Sequence, residues 1–278
     1  MLWSAPFHDE VFSRNRAFGR IAFSVAATPG GSRRSRVHEA GSFRVRFPNG
    51  INRDTLDAVI LNTAGGMAGG DDFGIDIDVG PHAHLTVTTA AAEKIYRSLG
   101  TDTEMAVKLK VSSGGVLAWL PQETILFDQV RLRRRIDIDL AEDSRLLLAE
   151  AVVFGRSAMG ESVAYGRFTD RWRVRAGGRL IFAETTRLDG EIAQHLARRA
   201  VTKGYVAVAS IIKYPGNDDD VAVIRAAADN FTGEVGVSAW NGLAVARFVA
   251  PDGAALRRDL IAVLTALHAG PLPRLWVN

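Results

Sequence analysis

The 278-residue sequence contains no cysteine, and this absence excludes disulfides, thiolate zinc sites and cysteine nucleophiles. It also lacks any run of about 18 uncharged apolar residues, so no segment is predicted to span a membrane. The first residues include Asp9 and Glu10 and do not form the basic-then-apolar pattern of a secretory signal. Together, these absences predict a cytoplasmic protein.

A strong excess of charge of one sign is also missing. The net charge is only +3, although most of the 34 basic residues are arginine. The densest basic clusters, Arg33–Arg36 and Arg131–Arg135, are short. Nucleic-acid binding requires basic residues gathered on one face, so we predict no nucleic-acid partner and interpret both clusters as solvated surface. An acidic protein partner is the alternative, because basic patches steer association.

Alternation of apolar and polar residues recurs along the whole chain and predicts a mainly β fold. β-Branched residues fill many of the alternating positions, which favours half-buried strands. No strand–helix alternation is visible, so a doubly wound sheet is not expected. No change of composition marks a linker, and residues 1–278 are predicted to form a single domain. The clearest predicted strands are Phe43–Phe47, Ile75–Val79, Leu85–Thr89, Met105–Val111, Ile136–Leu140, Leu180–Thr185, Val221–Ile224 and Leu243–Val249.

Two segments interrupt this alternation with apolar residues at helical spacing. Leu188–Gly204 has a weak apolar face, whereas Ala254–Ala269 has a pronounced one and is followed by Gly270 and Pro271. We therefore predict about two helices. Two further segments, residues 26–36 and the acidic residues 217–220, are predicted to be surface loops.

A glycine-rich run, Asn62–Asp72, is the most distinctive motif of the sequence. Four of its residues are glycines within six positions, which predicts a tight turn or the close approach of another backbone. No Gly-Lys-Ser/Thr follows and a strand rather than a helix comes next, so a phosphate-binding loop is not expected. Asp71 at its exit is a candidate for contact with a metal ion or a partner, although aspartate also commonly hydrogen-bonds its own turn.

Two histidines, His82 and His84, stand just before a predicted strand. Strand alternation would place both on one face, as a two-histidine metal site requires. Neutral imidazoles suit nickel and zinc. The alternative is a pair of polar surface residues.

Three glutamates lie beside glycine or apolar sequence. Glu123 follows Pro121–Gln122, Glu150 is flanked by apolar residues on both sides, and Glu161 closes a glycine-bracketed segment with Arg156. Paired carboxylates on a β scaffold could serve as acid and base in a carbohydrate hydrolase. Each could equally be a structural carboxylate held in an ion pair.

Read in chain order, these motifs resemble the UreD (UreH) family of urease accessory proteins. The resemblance rests on the glycine run ending in Gly69–Asp71, on Thr88–Arg97 (TT-x-A-A-x-K-x-Y-R), on Pro121–Glu123 and on Gly155–Glu161 (GR-x-A-x-GE). The closing segment Leu272–Trp276 also resembles that of the family. Each motif is short, but their common order makes a chance match improbable.

The resemblance implies a helical stack of elongated β-sheets with about two α-helices. Family members catalyse nothing; they bind the accessory protein UreF, which recruits the GTPase UreG, and the assembly docks on the urease apoprotein. The resemblance further implies an internal polar passage that nickel crosses transiently, with no permanently bound cofactor. Asp71, Glu123, Glu150 and Glu161 are predicted to line this passage, to hold it open or to contact a partner. Residues 1–40 match the family least.

Two other functions compete with this one. The carbohydrate hydrolase described above would use two of the glutamates, and a structural interaction protein would have no metal role. Association with urease proteins would distinguish the scaffold from the hydrolase. Urease activation without any affinity for nickel would favour the structural protein.

Overall fold

The computed structural model describes residues 16–277 except 51, 99, 157 and 158, and its described part is mainly strand. The strands are, in chain order, β1 (Phe18–Thr28), β2 (Gly31–Gly41), β3 (Phe43–Arg46), β4 (Thr55–Asn62), β5 (Asp72–Val79), β6 (His84–Thr89), β7 (Glu93–Ile95), β8 (Thr103–Val111), β9 (Val116–Trp119), β10 (Thr124–Leu126), β11 (Val130–Leu140), β12 (Arg145–Phe154), β13 (Gly166–Ala176), β14 (Arg179–Gly190), β15 (Ala207–Tyr214), β16 (Glu234–Trp240) and β17 (Leu243–Ala250). The helices are α1 (Ile192–Ala197), α2 (Asp218–Ala227), α3 (Gly253–Leu267) and α4 (Arg274–Val277), with a short 3₁₀ turn at Ala228–Asn230.

The strands form two sheets between which the chain passes back and forth. The first sheet has the order β14-β13-β11-β8-β5-β1-β2, and the path of the second is β16-β17-β15-β12-β9-β6-β4-β3. From β4 to β13 the chain adds parallel strands to the two sheets in turn, which gives a stacked, β-solenoid-like arrangement of about four turns. The predicted mainly β stack is therefore confirmed.

The main apolar core fills the space between the two sheets. Alternating residues of the central strands point into it, as in β5, where Phe73, Ile75 and Ile77 are buried and Asp76 is exposed. Such alternation is expected of strands with one face in the core and one toward water. In the first sheet, the pattern read from the sequence therefore reports directly which side chains face the second sheet.

Strand β12 is buried on both faces, because the helices cover the outer side of the second sheet. Its inward residues, such as Leu148, join the core between the sheets, and its outward residues, such as Leu147, join a second apolar cluster. That cluster also contains Leu256 and Leu260 of α3 and Trp276 of α4. The described residues thus form three layers, which explains why β12 is almost continuously apolar.

The structure confirms the predicted C-terminal helix and corrects the predicted helix at Leu188–Gly204. Helix α3 begins after Asp252, whose side chain accepts a hydrogen bond from the Ala255 amide at 2.8 Å. The predicted helix at Leu188–Gly204 is only six residues long, because β14 extends to Gly190 and turns follow α1. Only Ile192 and Leu196 of α1 are buried, which matches the weak apolar face of this segment.

Two predictions near residue 220 were wrong, since the predicted loop 217–220 and the predicted strand Val221–Ile224 together form helix α2. Asn217 and Asp220 make a reciprocal capping box at its start. Three aspartates in the first turn favour the positive end of the helix dipole. The buried Val221 and Ile224 lie three positions apart on one helix face. The same four residues also fit the alternation of a strand, so the helical spacing was not recognised.

The predicted loop at residues 26–36 was also wrong, because β1 and β2 form a hairpin through this segment. Pro29 and Gly30 make the turn, and β2 pairs with β1 from Gly31 onward. Strand β2 is the edge of the first sheet, and the arginines of this segment lie along it. Charged side chains on an edge strand discourage pairing with another chain.

None of the described helices combines the length and the apolar character that a membrane span requires.

Candidate functional site

A buried group of charged residues interrupts the apolar core between the sheets. The inward row of β11 is apolar except at Arg134, that of β12 except at Glu150, and that of β13 except at Asp170. Arg134 and Asp170 are direct neighbours in the parallel pairing of β11 with β13, and Glu150 faces them from the second sheet. The fold therefore brings together three charges that are far apart in sequence.

Arg134 is the centre of this charged cluster, which we define as Arg134, Glu150 and Asp170. Its Nη1 donates to Glu150 Oε2 at 2.6 Å, while its Nε and Nη2 donate to the two carboxylate oxygens of Asp170 at 3.0 and 2.6 Å. Trp119 Nε1 donates to the other oxygen of Glu150 at 2.7 Å, and Arg134 Nη1 lies 3.4 Å from Thr124 Oγ1. Such a two-pronged pairing fixes the guanidinium plane as well as its position.

Burial and pairing act against each other on the charges of this cluster. Burial raises the pKa of Glu150 although Arg134 and the Trp119 N–H act to lower it. Burial alone would lower the pKa of Arg134, but Asp170 and Glu150 outweigh it, so the pKa of the guanidinium lies above its ordinary value. Arg134 therefore remains charged at every physiological pH.

Two cavities lie on either side of the charged cluster. A cavity of about 130 Å³, here called the β14-side cavity, is lined by residues that include Asp170, Glu184 and Thr186. A cavity of about 320 Å³, here called the loop-side cavity, is lined by residues that include Asn62 and Glu93. Arg134 and Glu150 line both cavities. Two members of the charged cluster thus form part of a wall that the two cavities share.

Glu93, which is partly buried, adds a second carboxylate to the loop-side cavity beside the buried Glu150. Asn62 Nδ2 donates to Glu93 Oε1 at 3.0 Å. Burial raises the pKa of Glu93 to about 7, even though the Asn62 hydrogen bond and the nearby Lys94 act to lower it. The group therefore exchanges a proton near neutral pH. Glu93 lies within the motif Thr88–Arg97, but sequence analysis did not select it, because a single glutamate before a lysine carries no signal of burial.

The glycine run forms a close contact between two backbones, as its composition predicts. Met67 pairs with Ile95, and a side chain at Gly66 would meet Tyr96 at 2.5 Å. The Tyr96 hydroxyl donates to the Gly65 carbonyl at 3.0 Å. This contact fixes the loop that borders the loop-side cavity.

Asp71 hydrogen-bonds its own turn, which was the structural alternative for this residue. Its carboxylate accepts from the Ala68 amide at 2.7 Å and from the Ala17 amide at 2.9 Å. It is buried and ties the glycine run to the start of β1. Its predicted contact with a metal ion or partner stays a prediction.

The two histidines do not share a strand. His82 lies in the turn before β6 with φ of 56°, whereas His84 is the first residue of β6. The alternation that suggested a common face therefore does not apply to them. Within the described residues, no three histidine or acidic side chains lie close enough together to hold a metal ion.

Glu123 and Glu161 are each held by an arginine on a different part of the surface. Arg257 Nη1 donates to Glu123 Oε1 at 3.0 Å, and Arg156 Nε donates to Glu161 Oε2 at 2.7 Å. The hydrogen bond from Arg156 lowers the pKa of Glu161. The four predicted carboxylates are thus not gathered into one site: of the four, Glu150 lines the cavities, and the others hold separate segments.

Sequence reasoning missed Arg134 and Asp170. Arg134 was interpreted as part of a solvated cluster, and this was wrong because β11 alternates: Arg133 and Arg135 point outward and Arg134 inward. The signal was available in the row Val130, Leu132, Arg134, Ile136, Ile138, where one charge replaces an apolar residue. Asp170 interrupts the corresponding row of β13 in the same way.

Comparison with known proteins decides the family. A family model described as UreD urease accessory protein matches residues 17–277. A urease accessory protein UreD of Rhodopseudomonas palustris (strain HaA2) is 58% identical over 268 residues, which cover 96% of each chain. That of Bradyrhizobium diazoefficiens is 53% identical over 270 residues, which cover 97% of each chain. The chain belongs to the UreD family of urease accessory proteins.

Membership in the UreD family confirms the resemblance. The family model includes residues 17–40 and begins after residue 16, and the expectation that residues 1–40 match the family least stays a prediction. The alternative of a carbohydrate hydrolase needs two carboxylates facing each other across one cleft. Glu123, Glu150 and Glu161 are instead bound to three different arginines.

Proposed function

We propose that this UreD chain is a non-enzymatic scaffold that carries nickel, as cargo, toward the active site of urease. In this proposal the chain works in the cytoplasm, binds UreF and through it UreG, and docks with them on the urease apoprotein. Nickel is bound only in transit, and the chain keeps no permanent cofactor. Family membership supports the accessory role, and the two cavities that meet at Glu150 support the transport of a cation.

The cavities are suited to a cation because carboxylates line them. Glu93 faces the loop-side cavity, Asp170 and Glu184 face the β14-side cavity, and Glu150 faces both. Oxygen ligands bind nickel less tightly than a closed site of nitrogen and sulfur ligands would, and a transported ion must leave as well as enter. A row of single carboxylates therefore fits transit better than storage.

The four acidic residues selected from the sequence have two kinds of role in this proposal. Glu150 lines the route. Asp71 holds the glycine run, Glu123 holds the C-terminal segment and Glu161 holds Arg156, and all three affect the route through shape. Alanine at Glu150 should therefore reduce nickel-dependent urease activation more than alanine at Glu161, with both variants still folded and bound to their partners.

Deletion of the gene tests the function itself. We expect urease activity to be lost at ordinary nickel concentration and to return when this chain is supplied from a plasmid. Normal activity in the deletion strain at ordinary nickel would overturn the proposal. Full activation by a purified chain that shows no affinity for nickel alone would favour the structural scaffold without a metal role.

A further inference from the structure

The junction between the two cavities is occupied by a single side chain with a permanent positive charge. Arg134 and Glu150 are the residues common to both cavity walls, and Arg134 is only 2% exposed. Its guanidinium lies between Glu150 of the second sheet and Asp170 of the first. A route that joins the two cavities through their shared wall therefore passes this group.

The charge at the junction opposes a cation as long as Arg134 stays in place. Like charges a few ångströms apart repel strongly where water is excluded. Loss of a proton cannot remove the barrier, because the neighbouring carboxylates raise the pKa of Arg134 above a value that is already very high. The barrier can open only if the guanidinium moves.

The two carboxylates are suited to a divalent cation once the guanidinium has left. Two carboxylates carry a charge of −2, which a guanidinium neutralises by half and a divalent cation completely. Their oxygens lie on opposite sides of the guanidinium, at 2.6 Å from Nη1 and from Nη2. Trp119 Nε1 holds Glu150 from behind at 2.7 Å, so this carboxylate keeps its place when Arg134 moves.

We infer that Arg134 is a gate between the two cavities, and that a divalent cation crosses the junction by exchanging with the guanidinium between Glu150 and Asp170. The inference rests on the proposed transport of nickel, since without a passing cation the gate would have nothing to admit. Arg134 has a positioning role in this inference: its guanidinium occupies the space between the two carboxylates until the cation displaces it.

Binding of Ni²⁺ alone to the purified full-length chain tests the exchange. R134Q removes the competing charge and should bind one Ni²⁺ about tenfold more tightly, or better, than the wild type in titration calorimetry. R134K keeps a positive charge and should bind like the wild type. The matched control R134Q/E150Q/D170N removes the ligands as well and should lose the gain. Equal Ni²⁺ affinity of R134Q and the wild type would overturn the inference.

A measurement on the unmodified chain covers the case that R134Q does not fold. Ni²⁺ is paramagnetic, so an ion between Glu150 and Asp170 should broaden the indole N–H resonance of Trp119, which donates to Glu150. The resonance of Trp240, four strands away from β9 along the second sheet, should broaden much less. Equal broadening of both resonances, or of neither, would contradict exchange at the junction.

Urease activation separates a failure of the gate from a failure of the proposed function. R134Q should retain the ion at the junction and activate urease poorly at limiting nickel, with recovery at excess nickel. If the wild type and R134Q complement the deletion strain equally at every nickel concentration, the gate is wrong and the transport proposal stands. If the deletion strain needs no chain at all, the transport proposal itself is wrong.

Discussion

The two faces of β12 differ in polarity and in how closely they are packed. From Leu147 to Val153 the outward face is apolar and packs against α3 and Trp276. The inward face carries Glu150 among leucine, valine and phenylalanine, and cavities lie beside it. One strand therefore separates a layer that stabilises the fold from a layer that retains polar groups and empty space at a cost in stability. The difference indicates where function resides.

Breaking the charged cluster should have the largest effect on stability. Arg134→Met leaves Glu150 and Asp170 buried without their counter-ion, and removal of one partner of a buried pair costs about 3–5 kcal/mol. The triple variant Arg134→Met, Glu150→Gln, Asp170→Asn removes every charge and should regain most of that loss. Urea unfolding of the three proteins measures the difference.

The triple variant also sharpens the comparison between the two faces of β12. If its stability approaches that of the wild type while urease activation is lost, the charges serve function rather than folding. If the triple variant is as unstable as Arg134→Met, the cluster stabilises the fold in its own right and the two faces of β12 are equivalent in that respect.

The second largest effect is expected in the pH dependence of the unfolding free energy, which depends on a buried carboxylate between the sheets. Burial raises the pKa of Glu93 from 4.5 to about 7, so the folded chain holds this proton more tightly than the unfolded chain does. Its contribution to stability is fully present below pH 4.5 and is lost as the pH rises through about 7. The shift corresponds to about 3 kcal/mol between these limits. Glu93→Gln should flatten the dependence of unfolding free energy on pH over this window.

The control for Glu93 is Glu161→Gln, because the pKa of Glu161 is lowered rather than raised. That variant should leave the slope between pH 5 and pH 7 unchanged, as its titration in the folded chain lies below this window. An unchanged slope in Glu93→Gln would mean that the cavity around Glu93 is better hydrated than its burial indicates.

Strands could be predicted from the sequence where apolar and polar residues alternate. Alternation in Ile75–Val79 and Ile136–Leu140 identified strands correctly, because one face of each is buried. It failed at Val221–Ile224, where four apolar or small letters fit a helix as well as a strand and the decisive cap, Asn217, stood just before them. Local pattern alone does not resolve that ambiguity.

The site was less predictable, because its residues come together only through the pairing of distant strands. Glu150 could be selected as a carboxylate in apolar sequence, but its partners Arg134 and Asp170 are joined to it by the parallel register of β11 with β13 and by the packing of the two sheets. β11 and β13 are neighbours in the first sheet, but β12 of the second sheet lies between them in the chain. The register of two such strands cannot be read from a single sequence. Asp71 and Glu161, in contrast, have local partners that sequence reasoning had already named as alternatives.

The smallest effect is expected at the border of the outer layer, where Glu123 helps to fix the end of the chain. Arg257 of α3 donates to Glu123 and also to the carbonyl oxygens of Leu275 and Trp276. Glu123→Ala removes one of these acceptors and should cost about 1–2 kcal/mol, because the remaining bonds still hold the guanidinium. Faster hydrogen exchange confined to residues 272–277, with the inner strands unchanged, would show that Glu123 acts on the outer layer alone. Faster exchange in β11 or β13 as well would show instead that the two layers are coupled through β12, and the division between a stabilising face and a functional face would have to be abandoned.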